Sequence, residues 1–371
     1  MRRAACSPLS TFTPTKRPAL VHRTVVASLA FGLAGLLGAG CQKADLEVPA
    51  DPVPGATLPT NFPAPVYALA ANRPNAAAFA LGRSLFYDAR LSRGGSVSCG
   101  SCHQQFAAFA NEGHRLSHGV DNRLGTRNAP ALQNLRWKSE FFWDGGPKNL
   151  ETLPLAPLTN PLEMDETLPN VLRKLNADAR YPQRFAQVYG PGPIDSYQLL
   201  RALAQFTAAL TSANSPYDQA VRGENNVRPT MPEQRGRVLV AQKCASCHST
   251  DLFTDETYRN NGLSTGFGPD SGRAHITGRI SDVGRFKVPS LRNVALTPPY
   301  MHDGRFATLG AVLAHYDHGV VASPTLDAAL RPASGPLGIL LTAAEQADII
   351  AFLHTLTDQD FIRDQRLAEQ P

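Results

Sequence analysis

The chain has no apolar run long enough to cross a membrane comfortably. The stretch Thr24 to Gly40, rich in Ala, Gly and Leu, falls short of the ~20 residues that a spanning helix needs. Period-two alternation is rare, so strand signals are weak throughout and a sheet-based fold is not expected. Cysteine is also scarce. Of six residues, four sit in two pentapeptides and the other two, Cys6 and Cys41, lie in the N-terminal segment, so no pair is left for a disulfide in an exported protein.

Charge excess is missing as well once that segment is set aside. Residues 1–41 hold Arg2, Arg3, Lys16, Arg17 and Arg23 and no acid, and taking these five from the 36 basic residues leaves 31 against 31 acidic ones. Nucleic acid is therefore not an expected partner. The basic start followed by a short apolar run reads as an export signal over 1–41. Its end, Leu37-Gly38-Ala39-Gly40-Cys41, is similar to a bacterial lipoprotein box with its Leu one place further out than usual. Lipidation of Cys41 is the expectation, with cleavage after a small residue as the alternative. That places the protein in the periplasm, touching a membrane only through the anchor. Residues 42–65, with Pro49, Pro52, Pro54, Pro59, Pro63 and Pro65, read as a Pro-rich tether.

What the sequence does have is one pentapeptide twice, Cys99-Gly100-Ser101-Cys102-His103 and Cys244-Ala245-Ser246-Cys247-His248. C-x-x-C-H spacing lets two thiols form thioethers to one haem while the next imidazole binds the iron, so two copies imply two covalent haem c groups. Zinc sites or redox thiols are the bland alternative. The surroundings argue against it, because the motifs belong to an internal duplication. Leu81-Gly82-Arg83 and Arg235-Gly236-Arg237 precede them, and Asn128-Ala129-Pro130-Ala131-Leu132-Gln133-Asn134-Leu135 matches Lys287-Val288-Pro289-Ser290-Leu291-Arg292-Asn293-Val294 at an offset of 159. With that offset, Phe142-Trp143-Asp144-Gly145 falls on Met301-His302-Asp303-Gly304.

Helix signals support an all-α fold of two cytochrome c-like domains. Leu199, Leu200, Leu203, Phe206 and Leu210 keep a helical period within 196–212, and Thr342-x-x-Glu345 is a capping box ahead of Ile349, Ile350, Leu353 and Leu356. The polar stretch 215–232 marks the boundary, giving domains at 66–214 and 215–371. Residues 260–284 have no apolar period and read as a long loop beside the second haem.

From about residue 62 onward the chain resembles the bacterial di-haem cytochrome c peroxidase family, which includes MauG-type enzymes. Besides both haem motifs, the resemblance rests on Arg127-Asn128-Ala129-Pro130, Phe142-Trp143-Asp144-Gly145, Asn160-Pro161-Leu162-Glu163-Met164 and Leu296-Thr297-Pro298-Pro299-Tyr300-Met301-His302-Asp303-Gly304. It implies that the His103 haem meets hydrogen peroxide and that the His248 haem feeds it electrons. Glu163 falls on the distal carboxylate, which can take a proton from one peroxide oxygen and give it to the other. Pro157 matches a distal-pocket proline, and Leu153 stands where the family usually has glutamine. Trp143 matches the tryptophan between the haems, whereas Trp137 is assigned to packing. Asn128, Thr297 and Pro299 match positions that hold calcium through oxygen ligands.

Sixth ligands decide how each haem behaves. On the first haem, His118 resembles the histidine that blocks resting peroxidases, with His114 the weaker candidate. On the second, the peroxidases place a methionine fourteen residues after His302, and here that residue is Tyr316, as in MauG-type enzymes. The helix read over 308–318 puts Leu309, Val312, Leu313 and Tyr316 on one face, and the offset maps Tyr316 onto Pro157. A plain core tyrosine fits that stripe too, and Met301 is the fallback ligand. The implied function is reduction of hydrogen peroxide to water with electrons from a small c-type cytochrome. One rival is a MauG-like oxidation of side chains in a partner protein, and another is a non-enzymatic di-haem electron carrier.

Overall fold

Two pairs of crossed helices organise the fold, one pair for each repeat. In the first, Asn75 accepts from the Ala78 N–H to start the helix Ala76–Phe86, and an Asp195/Gln198 capping box starts Ser196–Ala209. Leu81, Leu85, Phe86, Leu199, Leu203 and Phe206 close between them in one cluster, each worth roughly 1.5–3 kcal/mol of burial. In the second, Met231–Lys243 crosses Ala343–Thr355, each opened by a Thr/Glu capping box, and Val240, Ile349, Phe352 and Leu353 form the core. A Cβ on Gly82 would lie 1.9 Å from the Ala202 carbonyl oxygen, and one on Gly236 would lie 2.0 Å from that of Asp348. Only glycine allows either crossing.

The computed structural model describes residues 53–67 and 72–370. The export signal, Cys41 and the start of the tether lie outside the described residues. Within them the chain is mostly helical, as expected, with one two-stranded antiparallel sheet pairing Tyr258 with Lys287 and Arg259 with Phe286.

The duplication is visible in the backbone. Asn134 and Asn293 both adopt left-handed φ, at 58° and 56°, where a short polar side chain is tolerated. The Asn134 N–H donates to Leu210 O and that of Asn293 to Leu356 O, while each side-chain oxygen accepts from the N–H two residues further on, at Ser212 and Asp358. Each asparagine therefore ties off the C-terminal end of its repeat's second helix.

Four segments differ from the sequence reading. The expected helix over 308–318 is α-helical only across Leu309–Ala314 and widens into a π turn at His315–Gly319, with the Tyr316 carbonyl taken instead by the Ile339 N–H at 2.6 Å. The boundary stretch holds a helix, Pro216–Arg222, capped by Ser215. The loop 260–284 contains short helices at Ala274–Thr277 and Ile280–Asp282. Residues 53–65, read as tether, are docked. Asn61 donates to Asp218 and Asp251, Phe62 packs on Trp137, and Trp137 Nε1 donates to the Pro63 carbonyl at 2.7 Å. Beneath Phe62, the fully buried Arg292 forms a two-pronged pair with Asp218 at 2.7 and 2.8 Å.

Candidate functional site

Each pentapeptide sits where a tight turn presents its residues to a cavity, a short helix Cys99–Cys102 at the first and a turn at the C-terminal end of Met231–Lys243 at the second. Ser98 and Ser101 cap the turn Cys99–Cys102 reciprocally, so the thiols project from a fixed frame. All four motif thiols are free. His103 Nδ1 donates to the Phe109 carbonyl at 2.9 Å, and His248 Nδ1 to that of Phe253 at 3.0 Å. Using Nδ1 this way leaves Nε2 as a lone-pair donor, the tautomer that an iron ligand requires. Burial lowers the pKa of both imidazoles, keeping them neutral. The first cavity, of about 550 Å³, contains Cys99, Cys102 and His103 in its wall, and the second, of about 250 Å³, contains Cys244, Cys247 and His248. Two free thiols, a correctly protonated imidazole and a mostly apolar cavity fit a covalent haem at each motif.

Glu163, Pro157, Leu153 and His118 line the first cavity. Glu163 Oε1 accepts from Asn160 Nδ2 at 2.8 Å, and its backbone carbonyl is held by the Val120 N–H. Burial raises the Glu163 carboxyl above the ordinary carboxylate range, with the Asn160 bond opposing. His118 Nδ1 bonds Asn122 Oδ1 at 2.6 Å, and among the described residues its Nε2 has no hydrogen-bond partner. His114 packs edge-on against the His118 ring but is not part of the cavity wall.

Tyr316 and Met301 both line the second cavity, where they share the Asn261 amide, which lies 3.4 Å from the Tyr316 hydroxyl and 3.4 Å from the Met301 sulfur. Burial pushes the Tyr316 phenol up to about 12, with the nearby Cys247 and Cys244 thiols adding to the shift. The neighbouring His315 donates Nε2 to the Asn261 carbonyl, so one loop residue steadies both. Sequence reasoning missed Asn261, since it lies in a segment without period. Asn160 lies in the motif that carries Glu163, and its three-residue spacing from that carboxyl is the signal that could have marked it as a partner.

Trp143 lines both cavities and donates Nε1 to the Asn128 carbonyl at 2.9 Å. Asn128, Thr297 and Pro299 all line the second cavity. Asn128 spends its Nδ2 on the His114 and Arg115 carbonyls, which leaves Oδ1 as its acceptor. The loop 260–284 reaches further than expected. Its Asn260, Asn261 and Leu263 line the second cavity, but His275 and Ile276 line the first, held across by Arg127 with Asp270 and by Arg273 with Glu140.

A duplicated helical body with two haem-binding motifs, each opening on its own cavity, defines a di-haem c-type cytochrome. Residues 76–226 match the family described as di-haem cytochrome c peroxidase, and residues 233–357 match cytochrome c. The methylamine utilization protein MauG of Methylorubrum extorquens is 36% identical over 282 residues, covering 75% of this chain and 77% of the relative. Cytochrome c551 peroxidase of Nitrosomonas europaea is 32% identical over 232 residues, covering 62% and 69%. A solved MauG-like protein associated with microbial copper homeostasis superposes with a TM-score of 0.74 at 33% identity, over 84% of this chain and 97% of that one. The chain belongs to the di-haem cytochrome c peroxidase and MauG family, an oxidoreductase with two haem c groups.

Proposed function

We propose that this protein reduces hydrogen peroxide to water at the first cavity, with Glu163 moving the protons and electrons arriving from a c-type cytochrome by way of the second. The observation that carries this reading is Glu163, a half-buried carboxyl in the same cavity wall as His103, steadied by Asn160 and with a raised pKa. One peroxide takes two electrons and two protons to give two waters. The haems, when bound, supply the redox chemistry. Glu163 accepts a proton from the peroxide oxygen that stays and returns one to the oxygen that leaves, and Pro157 keeps that wall apolar. Trp143, in the wall of both cavities, is the relay between them.

Several finer features belong to the same proposal. Asn128, Thr297 and Pro299 hold a calcium ion through oxygen atoms. His118, through Nε2, is the resting-state ligand at the first motif. The chain is exported to the periplasm and tethered by a lipid on Cys41, and its haem domains meet near residue 215. No helix among the described residues is long and apolar enough to cross a membrane. A second reading, oxidation of side chains in a partner protein, is favoured by Tyr316 in the second cavity together with the resemblance to MauG.

Glu163→Gln tests the main reading. Both haem spectra should persist while peroxide turnover with reduced cytochrome c falls ~10²–10⁴-fold. Because the carboxyl must be ionised to accept a proton and burial raises its pKa, wild-type turnover should rise with pH through that raised value, and the variant should lack this limb. Turnover within a factor of about two of wild type would make Glu163 a wall residue of the cavity with no part in the chemistry.

A further inference from the structure

The cavity walls carry six cationic side chains, and four of them are hydrogen-bonded to carboxylate partners. Arg127 pairs with Asp144 and Asp270, Lys243 with Glu345, Arg259 with Asp255 and Asp327, and Arg292 with Asp218. The exceptions are Lys138 and Lys287, and these two alone among the six line both cavities. Among the described residues Lys138 has no ion pair. The Lys287 side chain is 5% exposed, and among the described residues its Nζ has only the Glu256 carboxylate within ion-pair reach, the oxygen a long 3.5 Å away.

That arrangement is costly as it stands. An ammonium removed from water needs hydrogen bonds as well as a counter-charge, and a contact of 3.5 Å is a poor hydrogen bond. The Tyr258 ring, 4.6 Å from Nζ, contributes only a cation–π contact. Nearby Glu140 is already held by the Tyr258 hydroxyl and by Arg273. Glu256 thus balances one of the two lysines, and a positive charge is left at the wall the cavities share. Burial lowers the Lys287 pKa, Glu256 opposes that, and repulsion from the Lys138 ammonium adds to the lowering. An anion between them would satisfy both.

We propose that Lys138 and Lys287 together hold a haem propionate at the wall between the two cavities. The proposal rests on the presence of both haems, each of which brings two carboxylates. Lys287 suits the task because its backbone N–H donates to the Trp143 carbonyl at 2.7 Å and it is paired with Tyr258 in the short sheet, so the backbone that carries the side chain is fixed. A propionate held there lies beside Trp143, and the paired ammonium charges favour the reduced form of the haem that carries it.

The test uses the full-length holoprotein, with intact mass first showing two covalent haems, so that loss of haem is told apart from loss of this contact. Spectroelectrochemical titration and the propionate-bending bands in resonance Raman are then compared among wild type, Lys287→Met, Lys287→Arg and the partly exposed Lys138→Gln, which is the safer variant for folding. Lys287→Met and Lys138→Gln should each lower the potential of at least one haem and shift a propionate band, while Lys287→Arg should keep most of both. Wild-type potentials and bands in both charge-removing variants would overturn the proposal. So would potentials that respond to added inorganic phosphate in wild type but not in Lys287→Met, since the lysines would then be a site for a free anion.

Discussion

Trp143 Nε1 donates to the Asn128 backbone carbonyl at 2.9 Å, and both residues stand in the walls of both cavities. The bond fixes the indole plane against the first repeat. The Trp143 carbonyl in turn accepts from the Lys287 N–H, which ties the same residue to the second repeat. A residue whose ring is bonded to one repeat and whose backbone is bonded to the other suits a relay better than a loosely packed one.

Trp143→Phe should therefore keep both haems and their resting spectra while slowing electron passage between them by at least tenfold. Stopped-flow reduction of the first haem after rapid reduction of the second measures this directly. An unchanged rate would make Trp143 a packing residue only.

The helix crossings lead to a separate expectation about stability. A methyl on Gly82 or Gly236 must push apart backbone that now lies about 2 Å from its position. Gly82→Ala and Gly236→Ala should each cost at least the ~1–3 kcal/mol typical of an overpacked core, read from denaturant unfolding of the holoprotein. Wild-type midpoints would mean that the helices slide apart without strain.

Much of this was legible in the sequence. The C-x-x-C-H spacing identifies its own chemistry, and the 159-residue offset showed which positions are equivalent, as the matching Asn134 and Asn293 turns illustrate. Hidden from it were features made by residues far apart in the chain. Asn61 bonds Asp218 and Asp251 across more than 150 positions, which turns the end of a Pro-rich segment into a docked strap. Loop 260–284 carries no apolar period because ion pairs with Arg127 and Glu140 hold it over the first cavity, and such pairs leave no local signature. The π turn at Tyr316 depends on the Ile339 N–H, which no helical stripe reports.

The calcium proposal makes its own demand. Asn128 comes from the first repeat and Thr297 and Pro299 from the second, so a cation there would join them. Elemental analysis should find one calcium, and exhaustive chelation or Asn128→Ala should slow transfer between the haems before either haem is lost. Unaltered transfer in a chelated protein free of calcium would remove the site.

Tyr316 offers the sharpest division between the two functional readings. It lines the second cavity, its hydroxyl lies 3.4 Å from the Asn261 amide, and the π turn and His315 hold its backbone in place. A phenolate on iron favours the ferric state, so a haem with that ligand has a lower potential than one bound by histidine and methionine and accepts electrons from a cytochrome less readily. Tyr316→Phe should open a coordination position and change the ferric spectrum of one haem only. Met301 shares the same amide, so the variant also reveals whether its sulfur can take the vacant place, seen as a new methionine–iron charge-transfer band in the near infrared. With Tyr316 as ligand, the variant should gain peroxide turnover with reduced cytochrome c and lose activity toward a partner protein. If the wild-type ferric protein already shows the methionine band, or if the Phe variant matches it in every spectrum, Tyr316 is a core residue. The ordinary peroxidase reading then stands without its rival.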